Sequence, residues 1–195
     1  MRPMAVRSVR PGRGKQSMFE NLREDWITHE RDLLRRGFWV MVIYRFGRWR
    51  YRIRPRAIRR PFSFLYKFLN VVCEILTGIE LPCEVSLGRR FKIEHFGDII
   101  VSGDATFGDD VVIRNGVTVG LRHTGVRGAP VIGDRVDIGA GAKILGPINI
   151  GNDVAIGANA VVIEDVPPNS IAVGVPARIL PRHRAGLAKR AQRTG

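Results

Sequence analysis

From Leu81 onward the chain counts in sixes. Ile132, Ile138, Ile144, Ile150, Ile156 and Val162 open successive hexads, and four residues after each comes Val136, Ala142, Ile148, Val154, Ala160 or Val166. Upstream, Val101, Phe107, Ile113 and Val119 keep the count, with Ala105, Val111 and Val117 behind them. Leu81, Leu87 and Ile93 carry it back to its start. A period of six fits neither the 3.6-residue repeat of an amphipathic helix nor the simple alternation of a half-buried strand. It suits short strands joined by tight turns, each sending one aliphatic side chain into a solenoid core. Three such strands make a triangular coil of about 18 residues. Gly, Asn and Asp fill the second to fourth positions of the hexads, where turns need residues tolerant of unusual backbone angles. An ordinary β-sandwich has no reason to hold so many hexads in one register. The expected fold is therefore mostly β, a β-helix of hexapeptide repeats.

Two places break the rhythm. In "KIEHFGDIIV", residues 92–101, the count slips by two and carries His95 between Glu94 and Phe96. In "LRHTGVRGAP", residues 121–130, extra chain replaces part of a coil and must loop outward. Departures from a regular scaffold are where function is usually sited.

The first 80 residues read differently. Of 195 residues with a net charge of +14, residues 81–177 carry 8 Lys/Arg against 11 Asp/Glu, so the repeat is mildly acidic. Residues 1–80 carry 18 against 7, and residues 178–195 carry 6 against none. Residues 1–16, "MRPMAVRSVRPGRGKQ", are expected to be a disordered basic leader. They are not a signal peptide, because no apolar core follows the arginines. Ser17 and Glu20 have the form of a capping box, and apolar residues at helical spacing predict an amphipathic helix over residues 18–36. A second apolar segment covers about 38–49, and a third, a helix with one wide apolar face, covers about 62–77, from Pro61 to Gly78. The chain thus divides into the leader, a small α-helical domain at 17–78, the β-helix at 79–177 and a basic tail at 178–195. So short a helical unit buries too little surface to stand alone. Two cysteines, Cys73 and Cys83, form no disulfide framework and fit a reducing, cytoplasmic setting. No apolar run approaches the roughly 20 residues of a membrane span.

His95 is the candidate for chemistry, sitting at a turn position of its hexad where the period breaks. A lone histidine is more often structural, but two carboxylates are in range. Glu94 is adjacent, and Glu80 precedes His95 by fifteen residues, close to one coil. Either is placed to hold one tautomer and stabilise the imidazolium. A metal site would need converging ligands, whereas His29, His95, His123 and His183 are widely spaced, so no metal is expected. The segments "IGAGA" at 138–142 and "IGANA" at 156–160 lie 18 residues apart, which stacks Ala140 and Ala158 on one edge of successive coils. Small side chains there leave backbone polar groups open to a long, thin, amide-bearing ligand. The same Gly-Ala pairs also suit a compact turn, and spacing alone does not choose between the two.

Taken together, these segments resemble the hexapeptide-repeat acyltransferases, and within them the serine O-acetyltransferases. "IGAGAKILGPINIGNDVAIGANAVV" followed by "DVPPNSIAVGVPARI" resembles the C-terminal coils of that family, and "IEHFGDIIVSGDATFGDDVVIRNGVTVG" the stretch holding its catalytic histidine. "REDWITHERD" with "FWVMVIYRFGRW" resembles the last helices of its N-terminal domain, so the likeness covers roughly residues 22–182. The resemblance implies a left-handed parallel β-helix that assembles as a homotrimer or hexamer. It implies acetyl-CoA as donor, lying between subunits against Ala140, Ala158 and Arg178. It places the catalytic base on His95, its supporting carboxylate on Glu80 in place of an aspartate, and acceptor-binding acids on Asp32 and Glu94.

The departures concern the acceptor. The family's loop histidine, which helps bind serine, is Ala129 here, before Pro130, and its neighbouring arginine is Gly128, with Arg127 one residue away as the expected acceptor-binding replacement and His123 elsewhere in the loop. The C-terminal "KRAQRTG" lacks the isoleucine used by the family for docking on cysteine synthase. Exopolysaccharide-type acetyltransferases with a similar core tolerate such changes, so serine and a sugar both stand as acceptors. No Ser or Cys of the repeat reads as an activated nucleophile, which favours direct attack by the acceptor hydroxyl with His95 as general base. The segment "RFGRWRYRIRPRAIRR", residues 45–60, holds eight arginines and no acid. A nucleic-acid-binding role is disfavoured by the intact enzyme motifs. Contact with an anionic membrane surface, making the protein peripheral there, is the alternative to a solvated charged face.

Overall fold

The computed structural model describes residues 18–123 and 128–182. Three helices, α1 (Met18–Thr28), α2 (Arg36–Arg50) and α3 (Arg56–Thr77), precede a β-solenoid of about 5 turns. The leader, Ser17 of the capping box, Arg127 and all but the first residues of the basic tail lie outside the described residues.

The solenoid has three faces of short strands. One stacks Ile79–Glu80, Ile99–Val101, Thr118–Gly120, Lys143–Leu145 and Val161–Val162; a second stacks Thr106–Phe107, Val131–Ile132 and Asn149–Ile150. The third runs from Lys92–Ile93 through Val112–Ile113, Asp137–Ile138 and Ala155–Ile156 to Ser170–Val173, and is closed by the one antiparallel partner, Arg178–Pro181. Register on this face measures each coil directly. Lys92 pairs with Val112, 20 residues on; Val112 with Asp137, 25 on; Asp137 with Ala155, 18 on; and Ala155 with Ile171, 16 on. The two-residue slip is thus the difference between 20 and 18, and the extruded segment adds 25 − 18 = 7 residues.

Hexad openers and the residues four beyond them form the core, with Ile113, Ile132, Ile138, Ile144, Val117 and Val154 fully buried. One corner of the triangle is turned by a column of left-handed residues, Arg90, Asp110, Arg135, Asp153 and Asn169. Arginine is a costly choice for this backbone region. Here, however, Arg90 pairs with Asp110 and Arg135 with Asp153 on the next coil, so the side chains are held where the backbone needs them.

A solenoid end exposes apolar rungs and must be capped. The helices do this: Val40, Met41, Tyr44 and Tyr66 join Leu81, Cys83, Val85 and Phe91 in one continuous core. Tyr44 donates its hydroxyl to the Val85 carbonyl (2.8 Å), and the Tyr66 hydroxyl accepts from the Cys83 N–H (3.1 Å). Gly47 lies under this contact, where a Cβ would stand 2.5 Å from the Tyr66 ring and 2.6 Å from the Cys83 Cβ. Both cysteines are free and buried.

The helix boundaries depart from expectation. The single helix predicted for 18–36 ends at Thr28, because Glu30 and Arg31 take left-handed angles and close a Schellman motif. Its two bonds run from Arg31 N–H to the Trp26 carbonyl (2.9 Å) and from Glu30 N–H to the Ile27 carbonyl (3.0 Å). With Glu rather than Gly at the left-handed position, the stop carries no sequence signal. Helix α3 begins at Arg56, not at 62, with Pro61 inside its second turn. The carbonyl that this proline leaves without an N–H belongs to Ala57; both residues are exposed, and water can satisfy it. Gly78, left-handed at φ 65°, ends α3 where the sequence places its stop.

Candidate active site

His95 lies in the turn between the strands Lys92–Ile93 and Ile99–Val101. The longer coil is accommodated there by two consecutive left-handed residues, Gly97 (φ 106°) and Asp98 (φ 52°), while the coils above turn on one, Gly116 and then Gly141. The imidazole is exposed and has no hydrogen-bond partner among the described residues. The slip therefore pushes a titratable side chain out of the wall of the solenoid.

The segment linking α1 to α2 is laid against this turn. Lys92 bonds Glu30 (3.0 Å), and the Arg36 guanidinium stacks 3.8 Å from the centre of the Phe96 ring. Asp32 sits in this linking segment, its carboxylate accepting from the Leu34 N–H (2.8 Å). The structure thus brings the segment of Asp32 to the stretch around His95.

A buried polar group fixes that approach. Asp25 is fully buried and takes a two-pronged bond from Arg45 of α2, at 2.8 and 3.1 Å. His29, also buried, bonds the Asp25 carbonyl through Nδ1 (2.8 Å) and receives the Ile93 N–H on Nε2 (3.4 Å). Nε2 accepts only if Nδ1 carries the proton, so the network selects one neutral tautomer. Burial pushes the His29 pKa below its ordinary value, with the Asp25 carbonyl opposing the shift. Gly37 completes the contact, since a Cβ there would stand 2.7 Å from the Ile93 carbonyl oxygen. From its sequence position His29 offers itself only as a candidate metal ligand. Among the described residues no group of three His, Cys, Asp or Glu side chains converges as a metal site would require.

The carboxylates expected beside His95 are placed differently from one another. Glu94 is bound by Arg114 (2.7 Å), whose guanidinium also bonds Asp137 and the Ile138 carbonyl (3.2 Å). This bridge across three coils was missed. Coil lengths of 20 and 25 residues, which put Glu94 beside Arg114 and pair Asp137 with Val112, two residues before Arg114, hide this bridge from a count of eighteen. Glu80 is not one coil beneath His95: its register partner is Ile100, five residues further on. It is exposed, and its carboxylate makes no hydrogen bond among the described residues. It flanks the turn of His95, because Gly78, two residues before it, packs on Gly97 and Asp98.

Ala140 and Ala158 do stack. Ile138 pairs with Ile156, and Asn159 donates its N–H to the Ala140 carbonyl (2.8 Å). At this corner a Cβ on Gly139 would stand 2.5 Å from the Ala158 nitrogen, so the coils are in contact and Ala158 is presented outward. The Ala177 N–H bonds the Val161 carbonyl (2.8 Å), which draws the exposed Arg178 to the coil that carries Ala158. In the extruded segment, Gly128 (φ 119°) lies on Pro147, with only 2.6 Å for a Cβ, and Ala129 packs against the core. An arginine side chain has no room at 128 in this backbone. His123 is exposed at the other end of the segment.

No family model matches the chain. Curated relatives do. Over 133 residues it is 41% identical to the serine acetyltransferase of Mycobacterium tuberculosis, covering 68% of this chain and 58% of the relative. Over 136 residues it is 40% identical to that of Helicobacter pylori, covering 69% and 79%. The chain belongs to the serine acetyltransferase family. The solved Brucella abortus serine acetyltransferase in complex with coenzyme A superposes with a TM-score of 0.72 at 29% identity, over 84% of this chain and 67% of that one. The Neisseria gonorrhoeae enzyme in complex with serine gives 0.69 at 29%, over 84% and 69%. The chain spans little more than half of the Mycobacterium relative's length.

In this family member the buried His29 makes stability depend on pH. Its folded pKa lies below the ordinary value of 6.5, so the unfolded chain takes up a proton first as pH falls. Stability is expected to be full above that value and to decline below it. Urea midpoints at about pH 7.5 and about pH 5.5 check this, and His29→Gln is expected to remove most of the difference.

Proposed function

We propose that the chain is an acetyl-CoA-dependent O-acetyltransferase in which His95 is the general base. Serine is the acceptor that its family membership supports best. The observation that carries the reading is the exposed imidazole at the turn that takes up the two-residue slip, with the segment of Asp32 against the same turn. The corner of Ala140 and Ala158 fits the donor: its side chains are single methyls, and Arg178 is nearby to meet a phosphate. Acetyl-CoA supplies an activated thioester carbonyl. His95 takes the proton of the acceptor hydroxyl as its oxygen forms the ester bond, and returns that proton to the departing thiol sulfur, giving the O-acetyl product and free CoA. Glu80, flanking the turn, is assigned to orient the imidazole. A second copy of the chain is assigned to complete the donor groove, because the corner of Ala158 opens outward.

A sugar hydroxyl is the second reading, and the Glu94–Arg114–Asp137 bridge favours it. A carboxylate already paired with a guanidinium is a poor partner for the ammonium group of serine, and Ala129 offers no hydrogen bond to its carboxylate.

His95→Ala is expected to lower turnover at least about 100-fold, as loss of a general base does. Because the side chain is exposed, the thermal midpoint should not move; near-wild-type turnover would overturn the assignment. Ala158→Trp is expected to raise the KM for acetyl-CoA with an unchanged fold, read by thiol release at varied donor concentration. An unchanged KM would place the donor elsewhere. For the acceptor, Ala129→His is expected to raise kcat/KM for serine about 5- to 150-fold, the effect of satisfying one buried polar partner. No change, with robust turnover of a sugar by the unmodified protein, would establish the second reading.

A further inference from the structure

Helix α3 does two jobs with two faces. Tyr66, Cys73 and Thr77 face inward and bury against the rest of the helical cap. The opposite side carries Phe64, Phe68, Val71 and Ile75 at helical spacing of 4, 3 and 4 residues, one continuous stripe. It lies in the open: Phe64 is 77% exposed, Phe68 60% and Ile75 78%. Leu65 and Leu76 widen it, and Leu76 leads into an apolar groove of about 360 Å³ lined by Trp39, Ile43, Leu69 and Val72. Among the exposed residues of α3 the only charges are Arg56, Arg60 and Lys67, all positive, and Arg54 is exposed just before the helix. By helical geometry Arg60 and Lys67, four before and three after Phe64, run along one edge of the stripe. The arginines near the end of α2 are engaged elsewhere: Arg45 is committed to Asp25, Arg50 is buried against Gly47 and Cys83, and the exposed Arg48 reaches the Cys83 carbonyl (3.5 Å). Of the arginine-rich segment 45–60, it is the part in α3 and just before it that borders the stripe.

The one acid of α3, Glu74, is half-buried and accepts a hydrogen bond from Asn70 (2.5 Å), so a second copy pairing through this same face brings no free carboxylate to meet the cations. The leader, residues 1–16, contains no aromatic, Leu or Ile side chain with which to cover it. An apolar stripe edged by cations matches an anionic bilayer surface, where acyl chains take up the stripe and lipid phosphates the cations. Helix α3 is too polar to cross: among the described residues no helix is long and apolar enough to span a membrane.

We propose that α3 is an interfacial membrane-binding helix, which lays the Phe64–Phe68–Val71–Ile75 stripe into the headgroup boundary of an anionic bilayer with Arg54, Arg56, Arg60 and Lys67 on the phosphates. The test is co-sedimentation of the full chain with vesicles of phosphatidylcholine, with or without about 30 mol % phosphatidylserine. Wild type is expected to pellet with the anionic vesicles, and much less with neutral ones or at about 0.5 M salt. Removing Arg60 and Lys67 as alanines is expected to weaken binding about fivefold for each cation. Phe64→Ser with Phe68→Ser is expected to lower binding at least about tenfold, while thiol-release activity without vesicles stays as in wild type. Failure of wild type to pellet, or pelleting that the double serine variant keeps, overturns the proposal. So does a smaller native mass of that variant by light scattering, which would assign the stripe to a second copy of the chain.

Discussion

Each coil of the solenoid is held by main-chain hydrogen bonds to the coil before it, and every other feature depends on that register. The bonds from Val112 N–H to the Val136 carbonyl and from Asp137 N–H to the Val154 carbonyl, at 3.0 Å each, belong to ladders that run the length of the molecule. A parallel ladder tolerates no partial slip, since a shift of one residue would turn every core side chain outward. Irregularity is therefore confined to the corners. The extra residues of the first coil go into the turn of His95, and those of the second into the excursion at 121–130. Rigid ladders on either side of a stretched corner hold the exposed imidazole of His95 in place, because the walls cannot relax to draw it back.

The helical cap solves two problems with one interface. It covers the apolar end of the solenoid with Met41, Tyr44 and Tyr66, and it lays the α1–α2 segment beside the turn of His95. The polar groups inside the cap are all committed: Asp25 to Arg45, and His29 to the Asp25 carbonyl and the Ile93 N–H. Breaking such a buried pair by removing one partner typically costs 3–5 kcal/mol. The bond from His29 reaches a residue two before His95, so the cap is joined to the site by main-chain geometry and not by packing alone.

Charge around the site is distributed unevenly. The Lys92 ammonium holds the Glu30 carboxyl below its usual range, and Arg114 spans Glu94 and Asp137 across three coils. Of the two carboxylates that the resemblance sets beside His95, Glu94 is thus bound by a cation, while Glu80 has no hydrogen bond or ion pair among the described residues. That asymmetry separates the chain's own chemistry from what family membership alone conveys.

The period of six determined the solenoid, its core residues and the two corners that break the count, because a hexad leaves only one inward position per strand and the aliphatic residues mark it. The spacing of Ala140 and Ala158 determined their stacking, since no irregular coil intervenes between them. Gly78 likewise marked the end of α3, a left-handed position that glycine favours. Where the backbone used unexpected residues, the sequence was silent. Glu30 and Arg31 end α1 in left-handed angles, and Pro61 sits inside α3 instead of opening it. Only the tertiary structure decided that Glu94 is bound by Arg114, that Glu80 pairs in register with Ile100, and that His29 bonds the strand before His95 from within. These contacts join residues across coils of unequal length or across the cap, and no local periodicity encodes a distance of that kind.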